Sequence, residues 1–261
     1  MKTVIKPEDH EQVIESNING SGYPVLKEFM SFAVLLVVIL VASYMIFGLV
    51  ANIYIDNVSY ETKLKLESSF AFTSASQKYA CEDASAPSSI KANNILQQIL
   101  AYDSSIQNAA QMKVCVLQSS RPTAFVVANG DIFISSSLLK HMDDEQQLWF
   151  VLAHEAGHYA NRDVLKKLGR SILMMSLMSL LGSDMANFGR AVDFADLDYS
   201  RKKEFAADKY ASNILIKQFG TNKGGVDFFE KAKEEDFGEI LHYFSTHPSD
   251  RKRVQLLKSY N

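Results

Sequence analysis

At 261 residues the chain is long enough for one domain of ordinary size plus an appendage, with an ample core. Lys+Arg 27 against Asp+Glu 30 leaves a formal net charge of −3, so the basic excess of a nucleic-acid binder is missing and no nucleic-acid partner is expected. The two cysteines, Cys81 and Cys115, exclude a cysteine metal cluster or a framework of several bridges, while one disulfide between them would fit an oxidising compartment.

Residues 1–28 are polar and interrupted by Pro7, Gly20, Gly22 and Pro24, which predicts a mobile tail with a marginal helix. Residues 29–51 carry no charge and reach about 34 Å as a helix, against a bilayer core of about 30 Å. A buried globular helix would show a polar stripe, and a cleaved signal peptide would be shorter and nearer the start. A single transmembrane anchor is therefore expected, with the lipid bilayer as partner. Lys27 on one side and Lys63 and Lys65 on the other hardly choose an orientation. A short cytoplasmic tail with an extracytoplasmic main domain is the reading adopted, and the reverse is kept open.

Residues 52–88 read as a juxtamembrane segment, helical over 58–80 and broken linker-like over 81–88, before a main domain over 89–261. Helical spacing returns at Ile95, Leu96, Ile99, Leu100 and Tyr102. Strands are expected at 113–118 and 123–128, followed by the tight-turn pair Asn129-Gly130 and a third strand over 131–135, together a small antiparallel sheet. The edge of such a sheet can accept an extended peptide as an added strand; equally, its strands can serve only to cover the core.

His154-Glu155-Ala156-Gly157-His158 follows on an apolar helical run. Residues four apart on a helix lie one above the other, about 6 Å apart at Cβ, so both imidazoles can reach one metal ion. Zinc takes neutral imidazole nitrogen at about 2.0–2.1 Å. Glu155 then falls beside the ion, placed to take a proton from water. Asp143 is the expected N-cap, with Gln146 as capping-box partner, and Leu148, Trp149 and Leu152 supply core contacts. Gly157 costs roughly 1 kcal/mol of helix propensity against alanine, which a close approach by another segment would explain. Two histidines leave the site incomplete, because a catalytic zinc takes three protein ligands and keeps one open position.

Residues 172–181 form an apolar stretch introduced by Lys166, Lys167 and Arg170, too short to span a bilayer. It reads either as a buried core helix or as a methionine-rich surface for lipid or greasy substrates. Residues 182–198 are polar and loose. A second helix is expected over 199–211, with Glu204 and Asp208 on one face. Alone, these acids would be a surface pair among Arg201, Lys202, Lys203 and Lys209. Beside H-E-x-x-H, Glu204 supplies the third zinc ligand, and Asp208 accepts the second ring N–H of a ligand histidine and fixes its tautomer.

The chain resembles the HtpX-like zinc metallopeptidases, the gluzincin family that includes the CAAX prenyl protease and the Oma-type mitochondrial membrane proteases. Three motifs carry the likeness: His154-Glu155-x-x-His158, Tyr199-Ser200-Arg201-x-x-Glu204-x-x-x-Asp208 and Ser245-Thr246-His247-Pro248. It covers residues 90–255, and 124–139 resembles the family's strand pair ahead of the motif helix. The resemblance implies an α+β, mainly helical, zincin-like metallopeptidase fold. It also implies one Zn2+ per chain on His154, His158 and Glu204, Glu155 as catalytic base, and Asp208 behind a ligand histidine. His247 then belongs near the zinc, either stabilising the oxyanion of the intermediate or binding zinc at rest in place of water. His10, His141 and His242 are assigned to structure or surface. The first 80 residues match no motif, and the chain has one evident span, unlike multispanning relatives, so their substrates and topology are not carried over.

The expected function is peptide-bond hydrolysis by activated water, without a covalent intermediate, on unfolded or membrane-associated polypeptides. Quality control or processing of membrane or envelope proteins follows by analogy. A membrane-tethered chaperone or scaffold with little proteolytic activity is the alternative. Zinc hydrolysis of a small molecule, which would need a closed pocket in place of an open strand edge, is a third.

Overall fold

The structure, a computed structural model, describes residues 23–59, 62, 80–106, 109–169, 200–231, 243–244, 247 and 251–260. Residues 1–22 of the tail expected over 1–28, most of 58–80, the apolar stretch 172–181, the polar segment 182–198, and His10 and His242 lie outside the described residues, while 23–28 are helical. The chain divides into two compact units, Met1–Val50 and Ala51–Asn261.

The described part of the first unit is most of α1 (Tyr23–Asn57). Its apolar side chains stand bare, Phe32 at 70% and Met45 at 69% exposure. Among the described residues α1 alone is long and apolar enough to cross a membrane. It overruns the expected 29–51 at both ends, because Leu26, Lys27 and Glu28 on one side and residues 52–57 on the other hold no glycine or proline to stop it.

The second unit is mainly helical around a small sheet. In order it contains α2 (Pro87–Ala101), a 3-10 turn (Ala109–Gln111), β1 (Val114–Leu117), β2 (Ala124–Val126), β3 (Ile132–Ser135) and α3 (Ser136–Lys140). There follow α4 (Glu145–Ala160), a helical stretch over 163–169, α5 (Arg201–Phe219), α6 (Lys223–Lys231) and α7 (Arg251–Ser259). Pro87 opens α2, where its missing N–H is no loss, and the helix buries Ala92, Ile95, Leu96, Ile99 and Leu100 as one stripe. Asn93 fastens that stripe to the sheet: its Nδ2 donates to Val114 O at 3.0 Å and its Oδ1 accepts from Val114 N at 2.8 Å.

The α+β class stands, but the sheet is mixed where an antiparallel one was expected. Its order is β1-β3-β2, with β2 antiparallel and β1 parallel to β3. The β2–β3 hairpin turns at Asn129-Gly130, where Gly130 takes φ +91°. That hairpin occupies one edge of β3. The chain leaving β1 therefore crosses the end of β3 over 118–123, where Ser137 N donates to Ser119 O and Ser135 N to Thr123 O. A strand that crosses an end and returns along the far side leaves its predecessor parallel to the middle strand. The segment expected as a linker over 81–88 is instead tied to the outer edge of β1: Cys81 and Cys115 form a disulfide, and Glu82 N donates to Val116 O at 2.8 Å. Strand edges covered in this way do not pair with strangers.

α4 is the centre of the core, buried from Gln147 to Tyr159 without a solvent face. Its N-cap is Asp144, one residue later than the expected Asp143; the Asp144 carboxylate accepts from Gln146 N at 3.1 Å, while Gln147 Oε1 accepts from Asp143 N. α6 lies against the start of α4 through Gly224, where a Cβ would stand 2.5 Å from Gln146 Cβ and 2.6 Å from its carbonyl oxygen. Backbone cannot yield as a side-chain tip can. Gly224→Ala is therefore expected to cost about 1–3 kcal/mol by overpacking, read as a lower midpoint in denaturant at unchanged slope.

Candidate metal centre

Gly157 sets the distance between α4 and α5. A Cβ there would be 3.1 Å from Tyr210 Cβ and 3.2 Å from Ala207 Cα, so the two backbones touch at this point. The approach brings Glu204, one turn before Ala207, against His154 and His158, as expected from the sequence. His247, in the chain just before α7, completes the group.

The four side chains offer donor atoms that all lie within 4.8 Å of one another, and every one is fully buried. His154 Nε2 is 3.1 Å from His158 Nε2, 3.3 Å from His247 Nδ1 and 3.5 Å from Glu204 Oε2. Glu204 Oε1 is 3.3 Å from His158 Nε2 and 3.4 Å from His247 Nδ1. Bonds of about 2.0–2.1 Å to a tetrahedral ion place its ligands about 3.3–3.4 Å apart, and these five separations, 3.1–3.5 Å, lie close to that spacing. Three imidazoles and one carboxylate form a donor set that suits zinc.

Each ring is aimed by its other nitrogen. Asp208 Oδ1 lies 3.0 Å from His154 Nδ1, and Asp163 Oδ2 lies 3.0 Å from His158 Nδ1. His247 Nε2 lies 3.2 Å from Ala124 O on edge strand β2 and 3.4 Å from Glu155 Oε1. A His247 ring that turns Nδ1 to an ion carries its proton on Nε2 and so donates it to Ala124 O. Tyr243 stacks on this imidazole at 4.7 Å between centroids. Glu155 is buried beside the cluster, outside the set of four.

Two of these partners were not visible in the sequence. Asp163 lies past the end of α4, where helical spacing no longer applies, and also takes Lys203 Nζ at 3.2 Å. Arg253 sits in the basic run Arg251-Lys252-Arg253, which looks like solvated surface, yet it is 1% exposed. Its Nε and one Nη donate to the two Asp208 oxygens at 2.7 Å, the other Nη reaches Glu204 Oε2 at 2.6 Å and His247 O at 3.1 Å, and Phe229 packs on the guanidinium. His141, assigned to structure, has its Nδ1 2.8 Å from Ser137 O.

Buried charge of both signs shapes the titration. Burial would raise the Asp208 carboxyl, but Arg253 outweighs it and holds the group ionised below its ordinary range. Burial likewise opposes ionisation of Glu204, and the three histidines carry it well below the ordinary range. Burial would lower His154, yet Asp208 and Glu204 lift it to about 9. Carboxylates of Glu204, Asp208 and Asp163 thus flank the two motif histidines. Replacing Arg253 leaves Asp208 and Glu204 buried without their counter-charge. Arg253→Met is expected to lower stability by about 3–5 kcal/mol in chemical denaturation, with Asp208→Asn on top of it restoring part of the loss.

The sequence profile of peptidase family M48 matches residues 91–261. The chain is 27% identical over 183 residues to the mitochondrial metalloendopeptidase OMA1 of Schizosaccharomyces pombe, covering 67% of this chain and 53% of that protein. It is 31% identical over 154 residues to OMA1 of Arabidopsis thaliana, covering 57% of this chain and 31% of that one. With the metalloprotease YcaL of Escherichia coli it shares 26% identity over 160 residues, 58% of this chain and 63% of the relative. The chain therefore spans less than two thirds of the length of each of these relatives. With both helices of the cluster and its fourth donor inside the matched stretch, the chain belongs to peptidase family M48.

Proposed function

We propose that this chain is a membrane-anchored zinc endopeptidase that hydrolyses polypeptides with water as nucleophile, on the pattern of the metalloendopeptidases it is similar to. The observation that carries this reading is the buried convergence of His154, His158, Glu204 and His247, whose donor atoms all lie within 4.8 Å of one another. A zinc ion held there supplies Lewis acidity, which brings the pKa of water to near 7 and polarises a carbonyl.

The chain supplies the rest. Glu155, buried beside the cluster, takes the proton from water and hands it to the leaving amine. Asp208 and Asp163 hold the two motif histidines in one tautomer. Ala124 lies on edge strand β2, where an extended peptide can pair as a further strand and present its scissile bond to the cluster. His247 has two parts on this reading. At rest its Nδ1 would hold the ion together with His154, His158 and Glu204. When an arriving peptide competes for Ala124 O, the ring is released, and its N–H can donate to the oxyanion.

α1 serves as the membrane anchor, so the substrates we propose are unfolded or membrane-associated proteins. The Cys81–Cys115 disulfide favours an oxidising compartment for the second unit, hence an extracytoplasmic orientation. In sealed vesicles of known sidedness, added protease should reach the C-terminal domain only from the extracytoplasmic side. Digestion from the cytoplasmic side would reverse the assignment.

Metal analysis and a casein digest test the chemistry. Wild type should hold one zinc per chain, and Glu204→Ala should lose it. Glu155→Gln should keep the zinc while cleavage falls by about 10²–10⁴-fold. Equal products from Glu155→Gln and wild type would remove the protease reading and leave a tethered chaperone. Undiminished zinc in Glu204→Ala would show the carboxylate ligand to be wrong.

A further inference from the structure

The turn that ends α4 holds a residue the chemistry above does not use. Arg162 sits between α4 and the helical stretch 163–169, with φ +57°, in the left-handed region that a side chain disfavours. Arg162 N donates to Tyr159 O and Arg162 O accepts from Lys166 N, so this residue closes one helix and starts the next. Its conformation fixes where the side chain of the following residue, Asp163, points, and Asp163 is the partner of His158 Nδ1. A left-handed non-glycine residue persists where its surroundings over-determine it.

Those surroundings are the last turns of α1. The Arg162 guanidinium donates to Ile55 O and, at 3.1 Å, to Asp56 O, two of the terminal carbonyls that a helix leaves without partners. A cation there also meets the negative end of the helix dipole. Lys166 pairs with the Asp56 carboxylate at 2.7 Å. Ala51 and Ile55 are buried, and Gly169 gives them room: a Cβ on it would be 3.0 Å from Ile55 Cδ1. Three separate contacts thus fasten residues 51–57 to the segment 162–169.

We infer that Arg162 is a positioning residue: by clamping the end of α1 it holds the left-handed turn that aims Asp163 at His158, and so ties the metal centre to the end of the N-terminal helix. The inference rests on His158 being a metal ligand, as proposed above. It adds that the grip on the ion depends on a contact with α1 far along the chain from the ligands.

The test uses the full chain in detergent micelles, loaded with Co2+, whose visible absorption follows ligand geometry and whose loss to a chelator gives a release rate. Arg162→Gly is the informative variant, because glycine tolerates φ +57° and so adds no strain, while deleting the clamp leaves the turn free to take other conformations. It should melt no lower than wild type, shift the cobalt band and release metal about tenfold faster. Asp163→Asn should do the same. The double variant should release metal no faster than Asp163→Asn alone, since Arg162 acts through Asp163. Release from Arg162→Gly at the wild-type rate overturns the inference, as does a double variant about tenfold faster than Asp163→Asn. Should Arg162→Gly fail to fold, Arg162→Lys, which keeps the charge but not the paired donors, is read against the same rates. A wild type that takes up no Co2+ overturns the metal site itself and this inference with it, whereas a loaded wild type with unaffected variants overturns the inference alone.

Discussion

The contact between α4 and α5 at Gly157 governs what the rest of the second unit can do. Two helices carrying ordinary side chains at their crossing stand 8–10 Å apart, whereas here the missing Cβ lets Ala207 and Tyr210 close on α4 directly. His158 is the next residue along α4 and Glu204 lies one turn before Ala207, so the contact and the cluster are neighbours. A wider spacing would leave the carboxylate short of the imidazoles while keeping both helices intact. The helix propensity that glycine forfeits, roughly 1 kcal/mol, is what the chain gives up for bonding reach.

Closeness alone would not hold so many polar groups in a dry interior. Four carboxylates, Glu155, Asp163, Glu204 and Asp208, share the centre with two fixed cations, Lys203 and Arg253. Ionised groups without partners in such a place would cost several kcal/mol each. Arg253 answers two of the acids at once, through a planar fork that a lysine cannot reproduce. It also bonds His247 O, so α7 and the fourth donor are fixed by the same side chain that neutralises α5. Glu155 alone of the four has neither of these cations as its partner, and an ion held among the donors would add positive charge beside it. Fold and site are therefore one electrostatic problem with one solution.

The parts of this arrangement that obey a repeat could be read from the chain. His154 and His158, and Glu204 and Asp208, are pairs four apart on helices, and their chemistry made one site of two faces. Asn129-Gly130 marked the hairpin for the same reason: its residues have a local conformational preference. Asp163 and Arg253 follow no repeat. The first acts from beyond a helix end, and the second is hidden in a basic run whose other members, Arg251 and Lys252, are exposed. The side of β3 taken by β1 was equally silent, since a connection over 118–123 suits a wide hairpin as well as a crossing. The cap moved by one residue because Asp143 and Asp144 have the same chemistry, and it is Asp144, with an extended backbone, whose carboxylate accepts from Gln146 N.

The same distinction explains why the region after α1 matters more than its composition suggests. Residues 51–57 and 81–82 flank a stretch that invites description as a tether, and a domain on a free tether sweeps a volume set by linker length. Here both flanks are bonded into the second unit, one through Arg162 and Lys166 to the turn after the motif helix, the other through Cys115 and Val116 to the outer strand of the sheet. The length of the intervening chain then has no say in where the domain stands relative to residues 51–57. What decides it is the pair Arg162 and Lys166, and the first of these lies four residues after His158. The contact with residues 51–57 and the Asp163 partner of His158 consequently meet in a single turn of backbone.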